Sequence, residues 1–216
     1  MGTPSKGELA KMLSGLRGFA TPKERLEQYP TDGDTAALLL HHAQSHGDLP
    51  GSVADLGCGT GILGIGALLL GASHILFVDI DDAALAIARD NLARAGLREE
   101  KATFLKTDLL AIKQQPAVHE SPMTSLKADC AIMNPPFGSR HKGADIAFAQ
   151  LGLRVAPVIW SIHPGQTRAM LEAKSARWGA RLTHCISHSM HIPSMYDHHR
   201  RASKPVAVII ARMQRN

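Results

Sequence analysis

The run Asp55-Leu-Gly-Cys-Gly-Thr-Gly61 constrains this 216-residue chain more than any other feature. A strand-like apolar stretch, Val53–Leu56, leads into it, and a helical pattern over Ile62–Leu70 follows. Glycines at a strand-to-helix turn let a ligand come closer to the main chain than a Cβ permits. A second apolar run, His74–Asp79, ends on an acid 18 residues beyond Gly61. Strand, glycine turn, helix and acid-tipped strand are the opening of a βαβ unit that binds a nucleotide-like ligand.

The alternation continues. Strands fit Ala102–Lys106, Ala128–Met133 and Pro157–Ile162, and helices fit Ala83–Arg94, Asp145–Leu153 and Thr167–Trp178. Asp81 or Asp82 would cap the first of these helices. Upstream, Thr31 or Asp32 starts a helix running to about Ser45, and residues 111–127 read as a long polar loop. Arg181–Met190 and Pro205–Arg212 are joined by a polar loop, which predicts a closing hairpin. The expectation is a Rossmann-like α/β fold. It has a mostly parallel seven-stranded sheet, an antiparallel C-terminal hairpin, and helices on both faces. Residues 1–48 form a helical extension reaching the site, and 49–216 form the main domain.

Composition removes several classes. Hydrophobic residues at 44% and charged residues at 20% exclude wholesale disorder. Apolar runs stay far below the roughly 20 residues of a membrane span. Lys6, Glu8, Lys11 and Arg17 near the start leave no room for a signal peptide. Cys58, Cys130 and Cys185 form no C-x-x-C pair, so no metal site or disulfide framework is expected. An intracellular, reducing compartment follows, cytoplasm or nucleus. Of the net charge of +5, residues 191–216 carry +4 through Arg200, Arg201, Lys204, Arg212 and Arg215 against Asp197. Such a segment is either a solvated edge or a face for phosphates, and Arg200, Arg201 and Lys204 are the candidate nucleic-acid contacts.

The glycine loop admits two readings. Gly59-Thr-Gly61-Ile-Leu-Gly64 matches the NAD fingerprint, with Asp79 on the ribose. Shifted by two residues, an acid followed by G-x-G-x-G is the loop of S-adenosylmethionine enzymes. Asp55 favours the second reading, since a carboxylate anchors a cationic amino-acid end but offers a pyrophosphate nothing. Asp108, after the third strand, is placed to meet the adenine amino group of such a cofactor. Asn134-Pro135-Pro136-Phe137 falls at the end of the fourth strand, on the ligand side of an open sheet. The Asn134 oxygen and Pro135 carbonyl suit the two hydrogens of a planar amine, and Phe137 offers it a stacking face. Held this way, a conjugated nitrogen turns its lone pair toward a methyl donor without a strong base. His41, His42 and His46 read as solvated surface. His163 reads equally as rim or as structural residue, and Cys58 lacks a partner for nucleophilic work.

Glu27-Gln-Tyr-Pro-Thr31, Asp55–Gly61, Asp79-Ile-Asp81 and Asn134-Pro-Pro-Phe-Gly-Ser139 together resemble the methyltransferase-like protein 5 family. The resemblance extends over nearly the whole chain, through Ser161-Ile-His163, Thr167-Arg168 and Ile192-Pro193. It implies a class I methyltransferase fold and methylation of an adenine amino group in small-subunit ribosomal RNA. It also implies that Gln28, Thr31, Gly57, Thr60, Asp79 and Asp108 contact S-adenosylmethionine, and that Asn134, Pro135, Pro136 and Phe137 hold the adenine. A small zinc-ribbon activator subunit pairing with a sheet edge is the implied partner. Thr60 stands where members often carry Cys, and the 111–126 region is longer than the family's. The alternatives are the same chemistry on a protein glutamine or DNA adenine, or an NAD-dependent oxidoreductase.

Overall fold

The computed structural model describes residues 2–112, 126–192 and 205–216. The chain runs α1 (Lys6–Ser14), α2 (Gly33–Ser45), β1 (Ser52–Leu56), α3 (Ile62–Leu69), β2 (His74–Asp79) and α4 (Asp82–Arg94). It continues through β3 (Ala102–Lys106), α5 (Leu109–Ile112), β4 (Cys130–Met133), α6 (Ala144–Val155) and β5 (Val158–Pro164). The last elements are α7 (Arg168–Arg177), β6 (Ala180–His191) and β7 (Pro205–Arg215).

Among the described residues the strands form one sheet in the order β3-β2-β1-β4-β5-β7-β6. The first five are mutually parallel, while β7 runs antiparallel between β5 and β6. Inserting the later strand inside the earlier one follows from their side chains. Val208 to Met213 are all buried, as a strand covered on both faces requires, whereas β6 alternates toward solvent and takes the edge. The chain leaves β1 toward β2 on one side and reaches β4 on the other, so a crevice opens at the carboxyl ends of β1, β2 and β4.

Both faces are covered. Leu9, Leu13, Leu39, Leu40, Ile65, Phe77 and Trp160 fill one layer; Met133, Ala149, Leu151, Ile159, Leu171 and Met213 fill the other. Side chains fix where helices begin. Asp32 accepts from the Thr35 N–H at 2.8 Å, and Asp81 accepts from the Ala83 N–H at 3.1 Å. Helix α1 lies in the extension ahead of the first helix expected there, and a Ser5/Glu8 capping box starts it.

Two expectations need correction. The polar loop expected from 111 opens instead inside the short α5, and residues 113–125 lie outside the described residues. His41 and His42 are half-buried rather than solvated. The rings of His42 and His46 lie 5.3 and 5.0 Å from that of His184, beside Trp160, because α2 packs against β6.

Candidate active site

A cavity of about 690 Å³ occupies the crevice, lined among others by Asp55, Gly57, Thr60, Asp79, Asp108 and Asn134. Its glycine loop is shaped by close approach. Gly59 has φ +53°, and a Cβ there would lie 2.8 Å from the Phe19 ring; one on Gly64 would lie 2.3 Å from Phe77. Asp55 is 1% exposed and accepts the Gly64 N–H at 2.8 Å, pinning the first turn of α3. Burial, with Asp79 nearby, pushes its carboxyl up to about 7. Asp79 accepts the Gly59 N–H at 2.8 Å and the Asp81 N–H at 2.9 Å, yet burial still raises its pKa. Neither carboxylate has an ion-pair partner among the described residues.

Two buried acids short of a cation, with lone pairs left for hydroxyls, fit a cofactor carrying positive charge and a ribose diol. S-adenosylmethionine has both; a pyrophosphate would add negative charge where it is already in excess. The other expected contacts differ in what they do. Gly57 and Thr60 line the cavity. Asp108 sits at its exposed rim and accepts from the Leu110 and Ala111 N–H groups at 3.0 and 3.1 Å. Gln28 lines the cavity too, but its side chain is spent locally: its oxygen accepts the Lys23 N–H, and its amide donates to Asp81, both at 2.8 Å.

The second half of the site follows β4. The Asn134 amide nitrogen donates to the buried Thr31 hydroxyl at 2.8 Å, which fixes the amide and leaves Oδ1 buried without a partner. An orphaned acceptor costs roughly 1–3 kcal/mol, so its retention points to a ligand donor. Thr31 lines the cavity and its hydroxyl orients the Asn134 amide. Pro135 and Phe137 both meet Tyr29. The Pro135 carbonyl accepts the Tyr29 hydroxyl at 3.2 Å, leaving one lone pair, and the Phe137 ring leans on Tyr29 at 5.3 Å. Pro136 lines the cavity beside Asn134, and Pro135 and Phe137 flank these lining residues on the same loop.

Several residues of the site were not expected from sequence. Glu27 accepts main-chain N–H groups of Gly138, Ser139, Arg140 and His141 at 3.1, 3.1, 2.8 and 3.4 Å. Its signal lies in Glu27–Thr31, a stretch in which the family resemblance gives roles only to Gln28 and Thr31. Phe19 carried no legible signal. His163 is fully buried between Ser161 (2.7 Å) and Asp145 (3.2 Å), which settles it as structural. Burial drives the Cys58 thiol well up, so it stays protonated. Arg200, Arg201 and Lys204 lie outside the described residues. None of the described helices is long and apolar enough to cross a membrane.

Fold and site together define a class I methyltransferase. The family model for ribosomal protein L11 methyltransferase matches residues 32–119, which hold the glycine loop and stop short of Asn134. The rRNA N6-adenosine-methyltransferase Mettl5 of Drosophila melanogaster is 35% identical, over 93% of this chain and 92% of its own. A Pyrococcus horikoshii protein proposed to be an RNA methyltransferase has a crystal structure that superposes with TM-score 0.84. It is 36% identical, over 98% of both chains. At 18% identity, magnesium protoporphyrin IX methyltransferase from Synechocystis, solved with bound SAM, shares only the fold, with TM-score 0.61 over 84% of this chain and 78% of its own. The chain belongs to the rRNA N6-adenosine-methyltransferase family, the methyltransferase-like protein 5 group, and is an S-adenosylmethionine-dependent enzyme.

Proposed function

We propose that this enzyme methylates the N6 amino group of one adenine in small-subunit ribosomal RNA. The observation that carries the reading is the buried, unpartnered Oδ1 of Asn134, held by Thr31 at the wall of the cofactor cavity. An acceptor of that kind suits a planar N–H₂ donor. When bound, S-adenosylmethionine supplies an electrophilic methyl group. Asp79 would take its ribose hydroxyls, Asp55 and Asp79 would balance its positive charge, and Gly57, Thr60 and Asp108 would close round the rest.

Asn134 Oδ1 and the remaining lone pair of Pro135 hold the two N6 hydrogens. The nitrogen becomes pyramidal and its lone pair points along the line of transfer. After transfer, one hydrogen leaves N6 as a proton to water. Preorganised acceptors thus do what a base would do elsewhere. Tyr29, itself part of the cavity lining, and Phe137 stiffen the wall, and residues 1–48 act as an extension completing the site. The base must leave a helix or a stack to reach a pocket this deep, so a single-stranded or bulged RNA target fits. Arg200, Arg201 and Lys204 are assigned to the flanking phosphates on charge alone.

The zinc-ribbon activator belongs on β3, one of the two outer strands of the sheet, with a main-chain edge open to strand addition. Methylation of a protein draws its support from residues 32–119, which the L11 enzyme model matches, and that segment lacks the amine-binding loop. The test is methyl labelling of equimolar small- and large-subunit rRNA by the purified protein. Label confined to the small subunit supports the reading; equal label in both, or label only in protein, overturns it.

A further inference from the structure

Glu27 is the one non-glycine residue among those described with positive φ, at +52° with ψ +39°. Left-handed backbone is rare for a residue that is not Gly, Asn or Asp, and it persists only where the surroundings impose it. What imposes it here is a nest of four successive N–H groups. Oε2 accepts from Gly138 and Ser139, and Oε1 accepts from Arg140 and His141. Such a concavity ordinarily takes an external anion; this one is filled from within the chain. Arg140 adds an ion pair from its side chain to Glu24, one turn earlier.

The bonded segment follows directly on Asn134–Phe137. On the other side of Glu27, Gln28 donates to Asp81, whose N–H reaches Asp79 of the cofactor pocket. Tyr29 reaches the Pro135 carbonyl and Thr31 reaches the Asn134 amide. Four residues of the stretch 27–31 therefore tie the amine-binding loop to the cofactor side, and Glu27 makes the largest share of the bonds to the loop.

We propose that Glu27 is a positioning residue for methyl transfer, whose carboxylate holds the main chain of residues 138–141 and so keeps the Asn134 acceptor in its reactive place. The role rests on the functional reading above. A glutamine at this position has the same shape but turns an N–H₂ group toward N–H donors, so Glu27→Gln breaks half the nest. Glu27→Gly removes the whole nest while relieving the left-handed backbone.

The experiment measures amide hydrogen exchange, kcat on RNA, cofactor Kd and Tm for the wild type and both variants. In both variants exchange at residues 138–141 rises at least tenfold and kcat falls tenfold or more. Cofactor Kd stays within twofold, and Glu27→Gly melts no lower than Glu27→Gln. A fold-only role would make kcat follow Tm; here the two separate. An active wild type with Glu27→Gln at full kcat, with unchanged exchange, or with a kcat loss matched by lost cofactor binding overturns the positioning role. A wild type that methylates no RNA overturns the functional reading instead.

Discussion

The two halves of the cavity are built differently. On the cofactor side the important bonds are local or join neighbouring parallel strands: Asp55 to Gly64, Gly59 to Asp79, Asp79 to Asp81. On the amine side every bond crosses more than a hundred residues of sequence: Thr31 to Asn134, Tyr29 to Pro135, Glu27 to residues 138–141. The first half is a product of the βαβ unit and comes with the fold. The second is assembled by laying residues 27–31 across the ends of the strands, and in the proposed function it is the half that meets the substrate.

This contrast orders the expected effects of mutation. The largest falls on the amine side. Asn134→Ala should lower kcat on the order of a hundredfold, as loss of one preorganised partner does elsewhere. Cofactor Kd, read by calorimetry on the same protein, should stay within about twofold. Next comes the cofactor side. Asp79→Ala loses the acceptor assigned to the two ribose hydroxyls, roughly 2–2.7 kcal/mol, so Kd for the cofactor rises about thirty- to a hundredfold. If Asn134→Ala weakened the cofactor as much as Asp79→Ala, the two halves would not be separable.

A smaller effect concerns the fold beneath the glycine loop. Gly64→Ala forces a Cβ to within 2.3 Å of Phe77, an overpacking that costs about 1–3 kcal/mol and lowers Tm whatever the ligand. An unchanged Tm would mean that the glycine serves the cofactor rather than the packing of α3 on β2.

Protonation gives the mildest tests. With the Asp55 carboxyl at about 7 in the free protein, a bound cation favours its ionised form. Cofactor affinity should therefore rise between pH 6 and 8, and Asp55→Asn should flatten that rise. Away from the site, burial holds His42 and His184 below the ordinary 6.5, aided by the other histidines around them, by Lys6 facing His42 and by Arg212 facing His184. The unfolded chain then binds more protons, so this share of stability is intact above pH 6.5 and is lost as pH falls below it. Melting curves at pH 7.5 and 5.5 should show the drop, and His184→Gln should reduce it.

The same contrast explains how much could be read from sequence. The positions of strands β1 to β5 and the glycine loop were legible, because each follows from a pattern within a single strand or strand-turn-helix unit. The insertion of β7 inside β6 was not legible, because it depends on which of two apolar strands is buried on both faces. Thr31 and Gln28 line the cavity, and their side-chain bonds to Asn134 and Asp81 could not be read from the motif. A linear motif shows that residues matter without showing what they touch. Glu27 and Tyr29 stand in the same stretch and went unassigned for that reason. The histidines on α2 read as surface because their partner, His184, lies more than 130 residues away.

The central claim is that Asn134 and Pro135 grip both hydrogens of one adenine amine. The nucleoside product tests it most directly. After single-turnover and exhaustive reactions on small-subunit rRNA, the RNA is digested and its nucleosides are resolved by mass spectrometry. The account predicts N6-monomethyladenosine at no more than one per RNA, with no dimethylated product, since the methylated amine has one hydrogen left to hold. Accumulation of N6,N6-dimethyladenosine, or methylation at a ring nitrogen or a ribose, would contradict it.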